Sequence, residues 1–257
     1  MELQYEFLDD DTVRIKKAVL SDDELEIVIL ETYQDKKISE IGYKAFGGLT
    51  RIRKITLPED IRLIGDYAFS ECRNLTVINI PEKVTEIGRS VFDHCDMLEA
   101  ISLPDRIICV KEQAFYCCES LKEVIVGGSL REIGKCAFAY CRRLRRFDIP
   151  DKTLIIGSNA FKGCVSLREI TIPNGVTHIM SGTFADCCHL KTVELSDGLR
   201  KIGASAFGNC VKLRKIQIPD TVTVLNKRAF EDCLSLSFKS RFSIAKRKRC
   251  ILKSQGG

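Results

Sequence analysis

The chain has 257 residues, 45% hydrophobic and 29% charged, with a formal net charge of +5. That apolar content excludes a disordered chain, and no run approaches the ~18 consecutive apolar residues that a membrane span needs. The first thirty residues lack the basic-then-apolar order of a secretory signal.

Residues 1–35 carry 11 acids and 3 bases. They hold one apolar stretch, Glu24 to Leu30, with Ile38 beyond it, and read as an N-terminal cap or atypical first turn with a longer loop. From residue 36 a strict internal repeat takes over, the feature to seek before any secondary structure. Phe46, Phe69, Phe92, Phe115, Phe138, Phe161, Phe184, Phe207 and Phe230 follow one another at intervals of 23 residues. Three residues after each, from the second unit onward, stands a Cys (Cys72 through Cys233). Six after it comes Leu75 through Leu236, with Ile52 in the first unit. Every proline falls twelve residues after a Phe.

Within a unit, Leu75 to Ile80 ends in the alternation of a short strand and stops at Pro81, whose missing N–H terminates a ladder. Val84 to Ile87 brings the chain back to a recurring glycine (Gly42, Gly65, Gly88, Gly134, Gly157, Gly203, with Asn226 once). That column predicts a corner of positive φ, although Lys111 and Met180 depart from it. The stretch from this corner to the Cys is mostly free of β-branched residues and predicts a short helical or 3-10 turn. One turn cannot bury its apolar positions alone, so nine units over residues 36–236 must stack. At ~4.8 Å per turn they make a rod on the order of 40 Å long, with ladders of Phe, Cys, Leu and Ile inside. The fold class is an α/β repeat solenoid with short parallel strands.

Ile64, Gly65, Ala68, Phe69, Cys72, Leu75, Ile78, Ile80, Pro81 and Val84 spell a unit that closely resembles the BspA-type leucine-rich repeats. The resemblance implies a leucine-rich-repeat superhelix that recognises other proteins and does not catalyse. Members of that family are mostly surface or adhesive proteins.

Eight of the 13 Cys occupy the ladder position, where a small, weakly polar side chain suits a crowded interior. Side chains that point the same way do not suit disulfides. Free thiols point to a reducing, cytoplasmic compartment. No zinc spacing occurs, and the nearest group, Cys187, Cys188 and His189 with His178, gives up Cys187 to the core. His94 lies 23 residues before Cys117 and stacks near it, but both positions suit polar surface. No nucleotide or hydrolase motif is present. The reading is no enzyme, no cofactor and no metal.

The exposed columns remain. Seven residues after the Phe run Arg53, Lys122, Arg145, Arg168, Lys191 and Arg214, broken by Thr76 and Glu99. Thirteen after it run Glu59, Glu82, Asp105, Asp151, Asp197 and Asp220. The basic column is a candidate surface for an acidic protein partner, and solvated faces are the plainer account of both columns. Residues 237–257 carry seven bases and no acid. Phe238, Phe242, Ala245, Ile251 and Leu252 are candidates to cap the open end. Lys246, Arg247, Lys248 and Arg249 are candidates to contact nucleic acid or an anionic membrane surface. The chain is expected to be a monomer that binds another protein, with an adaptor role through the basic tail as the alternative.

Overall fold

The computed structural model describes residues 2–19 and 25–255, with side-chain surroundings as far as Ile251. Glu24 and the side chains of Leu252 and Lys253 lie outside the described residues. Each 23-residue unit makes one turn of a solenoid, and two sides of the turn are parallel sheet. One sheet is built from the segment before the proline, as in Lys54–Thr56, Val77–Ile78 and Ala100–Ser102. The other comes from the return segment, as in Leu63–Ile64, Glu86–Ile87 and Cys109–Val110. Pairing joins equivalent positions, Lys54 with Val77 and Leu63 with Glu86. The register therefore equals the repeat length, and inward residues such as Ile55, Ile64, Ile78 and Ile87 fall on one another.

The third side is not helical. From the corner glycine to the Cys the chain makes successive tight turns with two left-handed residues per unit. One stands two before the Phe (Tyr67, φ 59°) and one two after it (Glu71, φ 60°). Ala68 N–H bonds to the Gly65 carbonyl and Cys72 N–H to the Phe69 carbonyl. Tyr67, Phe69 and Glu71 instead donate to Arg89, Val91 and Asp93 of the next turn. Alternate N–H groups thus point within the turn and across it. A helix would satisfy them all locally and leave the neighbouring turn unpaired. This corrects the helical turn expected from composition.

The corner glycines are not the left-handed residues; none of them has positive φ. Glycine is needed there because the preceding turn passes too close. A Cβ on Gly88 would lie 2.3 Å from Asp66 N, and one on Gly157 2.5 Å from Lys135 N. Each corner glycine donates its N–H to the preceding turn at 2.7–2.8 Å, as Gly65 does to Ile41 and Gly157 to Ile133. The departures from glycine have a visible consequence. The return sheet is interrupted twice, between Glu86–Ile87 and Cys109–Val110 and between Ile155–Ile156 and His178–Ile179. Those breaks immediately precede Lys111 and Met180, whose Cβ atoms keep the turns apart. Asn226 retains its bond at 3.0 Å, in the last turn, where no further turn is stacked to hold it flat.

Side chains also interrupt the other sheet. Asn79 uses its amide to pair with both the N–H and the carbonyl of Leu57. Phe147 replaces the column's Ile or Val and wedges between Phe138 and Phe161, with centroids 4.9 and 5.1 Å away. No strand forms at its turn.

In the core the nine phenyl rings stack at 5.2–5.5 Å between centroids. Beside them each ladder thiol donates to the carbonyl of the Phe one turn back, at 3.0–3.2 Å. The Cys is therefore a buried donor that satisfies a carbonyl which the tight turns leave open.

The ends are closed differently. β1 (Glu2–Phe7) runs antiparallel to β2 (Val13–Val19), and β2 pairs in parallel with Lys36–Ile41. Glu26–Val28 lies under Lys54–Thr56 as the first strand of the other sheet. At the far end α1 (Phe238–Gln255) lies across the last turn. Ser240 and Ser243 accept the N–H groups of Ile216 and Ile218, bonds that a further turn would otherwise supply. Ile244 and Ile251 are buried, whereas Phe238, Phe242 and Ala245 face outward. Packing against the last turn therefore falls to serines and isoleucines, not to the phenylalanines expected to cap it.

Candidate interaction surface

All six bases of the column seven after the Phe are exposed, yet they do not form one stripe. Arg53 is set apart by Thr76 and Glu99. Lys122 is neutralised by Glu99 at 2.9 Å. Arg145, Arg168, Lys191 and Arg214 occupy consecutive turns and are joined through their own backbones. Arg168 N–H donates to Arg145 O at 3.3 Å, Lys191 N–H to Arg168 O at 2.7 Å and Arg214 N–H to Lys191 O at 3.0 Å. Their spacing is set by the solenoid at ~4.8 Å, and none of the four forms an ion pair among the described residues. Arg143 and Lys212, also exposed, are each separated from this ladder by one buried leucine. They were missed because their column is otherwise Ser, His or Asn; the alternation Arg143–Leu144–Arg145 was the available signal.

Neighbouring bases are spent on structure. Arg142 pairs with Glu119 at 3.1 Å and Arg146 with Asp148 at 2.8 Å. The acidic column has a local role: its residues follow the proline in a turn closed, for example, by Val84 N–H on Pro81 O, a place that suits a carboxylate.

The basic run on α1 divides the same way. Arg247 bonds to the Val222 carbonyl and lies 3.9 Å from Asp220, with only 15% of its side chain exposed. Lys248 reaches the Lys227 carbonyl at 3.3 Å. Lys246 and Arg249 remain exposed.

The residues with chemical potential are placed unfavourably for reaction. Burial pushes the Cys72 thiol up to about 12 and the Cys117 thiol up to about 11. A nucleophilic cysteine needs the opposite shift. His94 lies 3.8 Å from Asp93 and 3.7 Å from Asp96, and its ring meets the edge of Tyr116 at 5.8 Å. Asp93 is itself raised by burial, and its Oδ1 has no hydrogen-bond partner. The His178, Cys187, Cys188 and His189 group is already engaged. Cys187 donates to Phe161 O, His189 Nδ1 contacts Val165 O at 2.8 Å and His178 Nδ1 contacts Thr177 at 2.8 Å. Among the described residues no three such side chains converge on a metal position.

Comparison with known proteins agrees with this architecture. The family profile described as the BspA type Leucine rich repeat region matches residues 14–145 and 110–237, in six copies. A leucine-rich repeat protein of T. pallidum is 25% identical over 83% of this chain and 88% of that one, with a TM-score of 0.58. The pneumococcal vaccine antigen PcpA is 20% identical over 91% of this chain and 72% of that one, with a TM-score of 0.57. A leucine-rich cell surface protein from Faecalibacterium prausnitzii A2-165 is 22% identical over 94% of this chain and 95% of that one, with a TM-score of 0.52. At such identities the last two likenesses speak for the fold alone. No curated protein matches the chain.

Proposed function

The chain belongs to the BspA-type leucine-rich repeat family, and we propose that it is a non-catalytic recognition module that binds an acidic segment of another protein. Membership of this repeat family supports a binding or surface role, and the ladder narrows the partner's chemistry. The observation that carries the reading is the unbroken run Arg145, Arg168, Lys191 and Arg214, four exposed bases without intramolecular counterions. Three spacings of ~4.8 Å extend it over ~14 Å, the length of about four extended residues. An acidic segment laid along the solenoid axis meets all four together. Cross-linking the native protein through Lys191 in its own cells, followed by mass spectrometry, tests the reading. Cross-linked peptides rich in Asp and Glu are expected, and Arg145→Glu/Arg168→Glu should abolish them. Cross-links that concentrate on other turns, or that survive the charge reversal, remove the proposal.

A further inference from the structure

The terminal helix spends one face on the solenoid and leaves the other bare. Ser240, Ile244, Arg247 and Ile251 turn inward at helical spacing. Phe238 and Phe242 stand one helical turn apart on the opposite side, 85% and 63% exposed. Ala245, Arg241, Lys246 and Arg249 surround them, all exposed. Leu234, 70% exposed, adds apolar surface just before the helix. Scattered exposed phenylalanines need no explanation, but a pair on one ridge, enclosed by cations, does.

Charge decides what can cover this ridge. All seven charged residues of the segment 237–257 are basic, whereas residues 1–35 at the other end of the rod have a net charge of −8. The acids nearest in sequence, Glu231 and Asp232, precede the helix in the last turn. We propose that the outer face of α1 docks the solenoid end-on onto an anionic phospholipid bilayer. The phenyl rings enter the headgroup–acyl boundary, and Arg241, Lys246 and Arg249 remain with the phosphate and serine headgroups. A convex ridge presents no groove for a protein partner's side chain, whereas a soft apolar phase accepts both rings at once. Nucleic acid would engage the cations and leave the rings without a role. The same surface repels the acidic first turn, so the rod points away from the membrane and the Arg145–Arg214 ladder stays accessible.

The sequence contains no Trp, so Phe242→Trp creates a single reporter at the proposed contact while conserving its character. The full chain should sediment with vesicles of phosphatidylserine and phosphatidylcholine in equal parts and not with pure phosphatidylcholine. The reporter's emission should shift to the blue on the anionic vesicles and be quenched by brominated lipid. Phe238→Ser/Phe242→Ser should lower partitioning at least about tenfold at an unchanged unfolding midpoint, and Lys246→Glu/Arg249→Glu should lower it as well. Full binding by the serine variant, equal binding to neutral vesicles, or unshifted emission on anionic vesicles each overturns the proposal. So does retention on duplex DNA, or self-association, that competes with the vesicles and ignores the phenylalanines.

Discussion

Raising the pH should unfold this protein through its thiol ladder, in a window set by burial. Cys72, Cys95, Cys118, Cys141, Cys164, Cys187, Cys210 and Cys233 all have thiols raised above the ordinary value of 9.0, burial being the first cause at each. In the unfolded chain they ionise near that ordinary value. Between there and the folded value the unfolded state has lost protons that the native state keeps, so stability falls as pH rises. At pH ~10 each thiol costs about 1.4 kcal/mol relative to neutral pH, and eight together cost about 11 kcal/mol. That matches the whole stability of a typical domain, about 5–15 kcal/mol.

The assay is denaturant unfolding under reducing conditions at closely spaced alkaline pH values. Cys141→Ser supplies the control, because a hydroxyl can still donate to Phe115 O but does not ionise in this range. Its stability relative to the parent should improve by about 1.4 kcal/mol between pH ~8 and ~10, whatever its offset at neutral pH. Lysine and tyrosine titration is common to both proteins and cancels in that difference. A flat profile in the parent up to pH ~10, or an identical slope in the variant, would falsify the assignment of the ladder as buried neutral thiols.

Further outcomes follow from single contacts. Gly157→Ala should cost about 2 kcal/mol and speed amide exchange at residue 157, because its Cβ meets Lys135 N at 2.5 Å and breaks the bond to Ile133. Gly48→Ala has nothing within 4 Å and should cost only about 1 kcal/mol for its left-handed φ of 80°; the reverse order in unfolding measurements would refute the steric account. Ser240→Ala leaves the N–H of Ile216 unpaired at the end of the sheet and should cost about 1–2 kcal/mol, read by chemical denaturation. Alkylation at neutral pH should modify exposed Cys250 first, the half-buried Cys109, Cys117, Cys136 and Cys188 slowly, and the ladder only after unfolding; early labelling of Cys141 by mass spectrometry would contradict the packing.

The register of the core was legible because a solenoid stacks equivalent residues, so a period in the sequence is a distance in space. Reading Phe, Cys and Leu at fixed offsets was therefore equivalent to reading the ladders. The corner was misassigned because a missing Cβ has two uses, positive φ and close approach, and composition does not separate them. The residues that do adopt positive φ left a trace: the column two after Phe holds Gly48, Gly163, Asn209, Asp186 and Asp232. Glu71, His94, Cys117 and Tyr140 mask it. Those four are held left-handed by bonds to the next turn, a tertiary cause invisible in one unit. The candidate surface divided for a similar reason. Arg142, Arg145 and Arg146 are alike in the sequence, and only the positions of Glu119 and Asp148 decide which is spent.

Stability and recognition are separable in this architecture, and the energies show why. Truncating one ring of the phenyl stack to Ala should cost about 3–5 kcal/mol, so the core tolerates little change. Four stacked bases repel instead. At ~4.8 Å in water each neighbouring pair costs just under 1 kcal/mol, and about 0.5 kcal/mol once physiological salt screens it. Three neighbouring pairs then total about 1.5 kcal/mol, a cost the Phe and Cys ladders of the same turns can carry. The ladder at Arg145–Arg214 is thus held open by its packing rather than satisfied within the molecule. Salt should act on it in opposite senses, relieving the repulsion in the free protein while weakening capture of an acidic segment. A merely solvated basic face would show the first effect without the second.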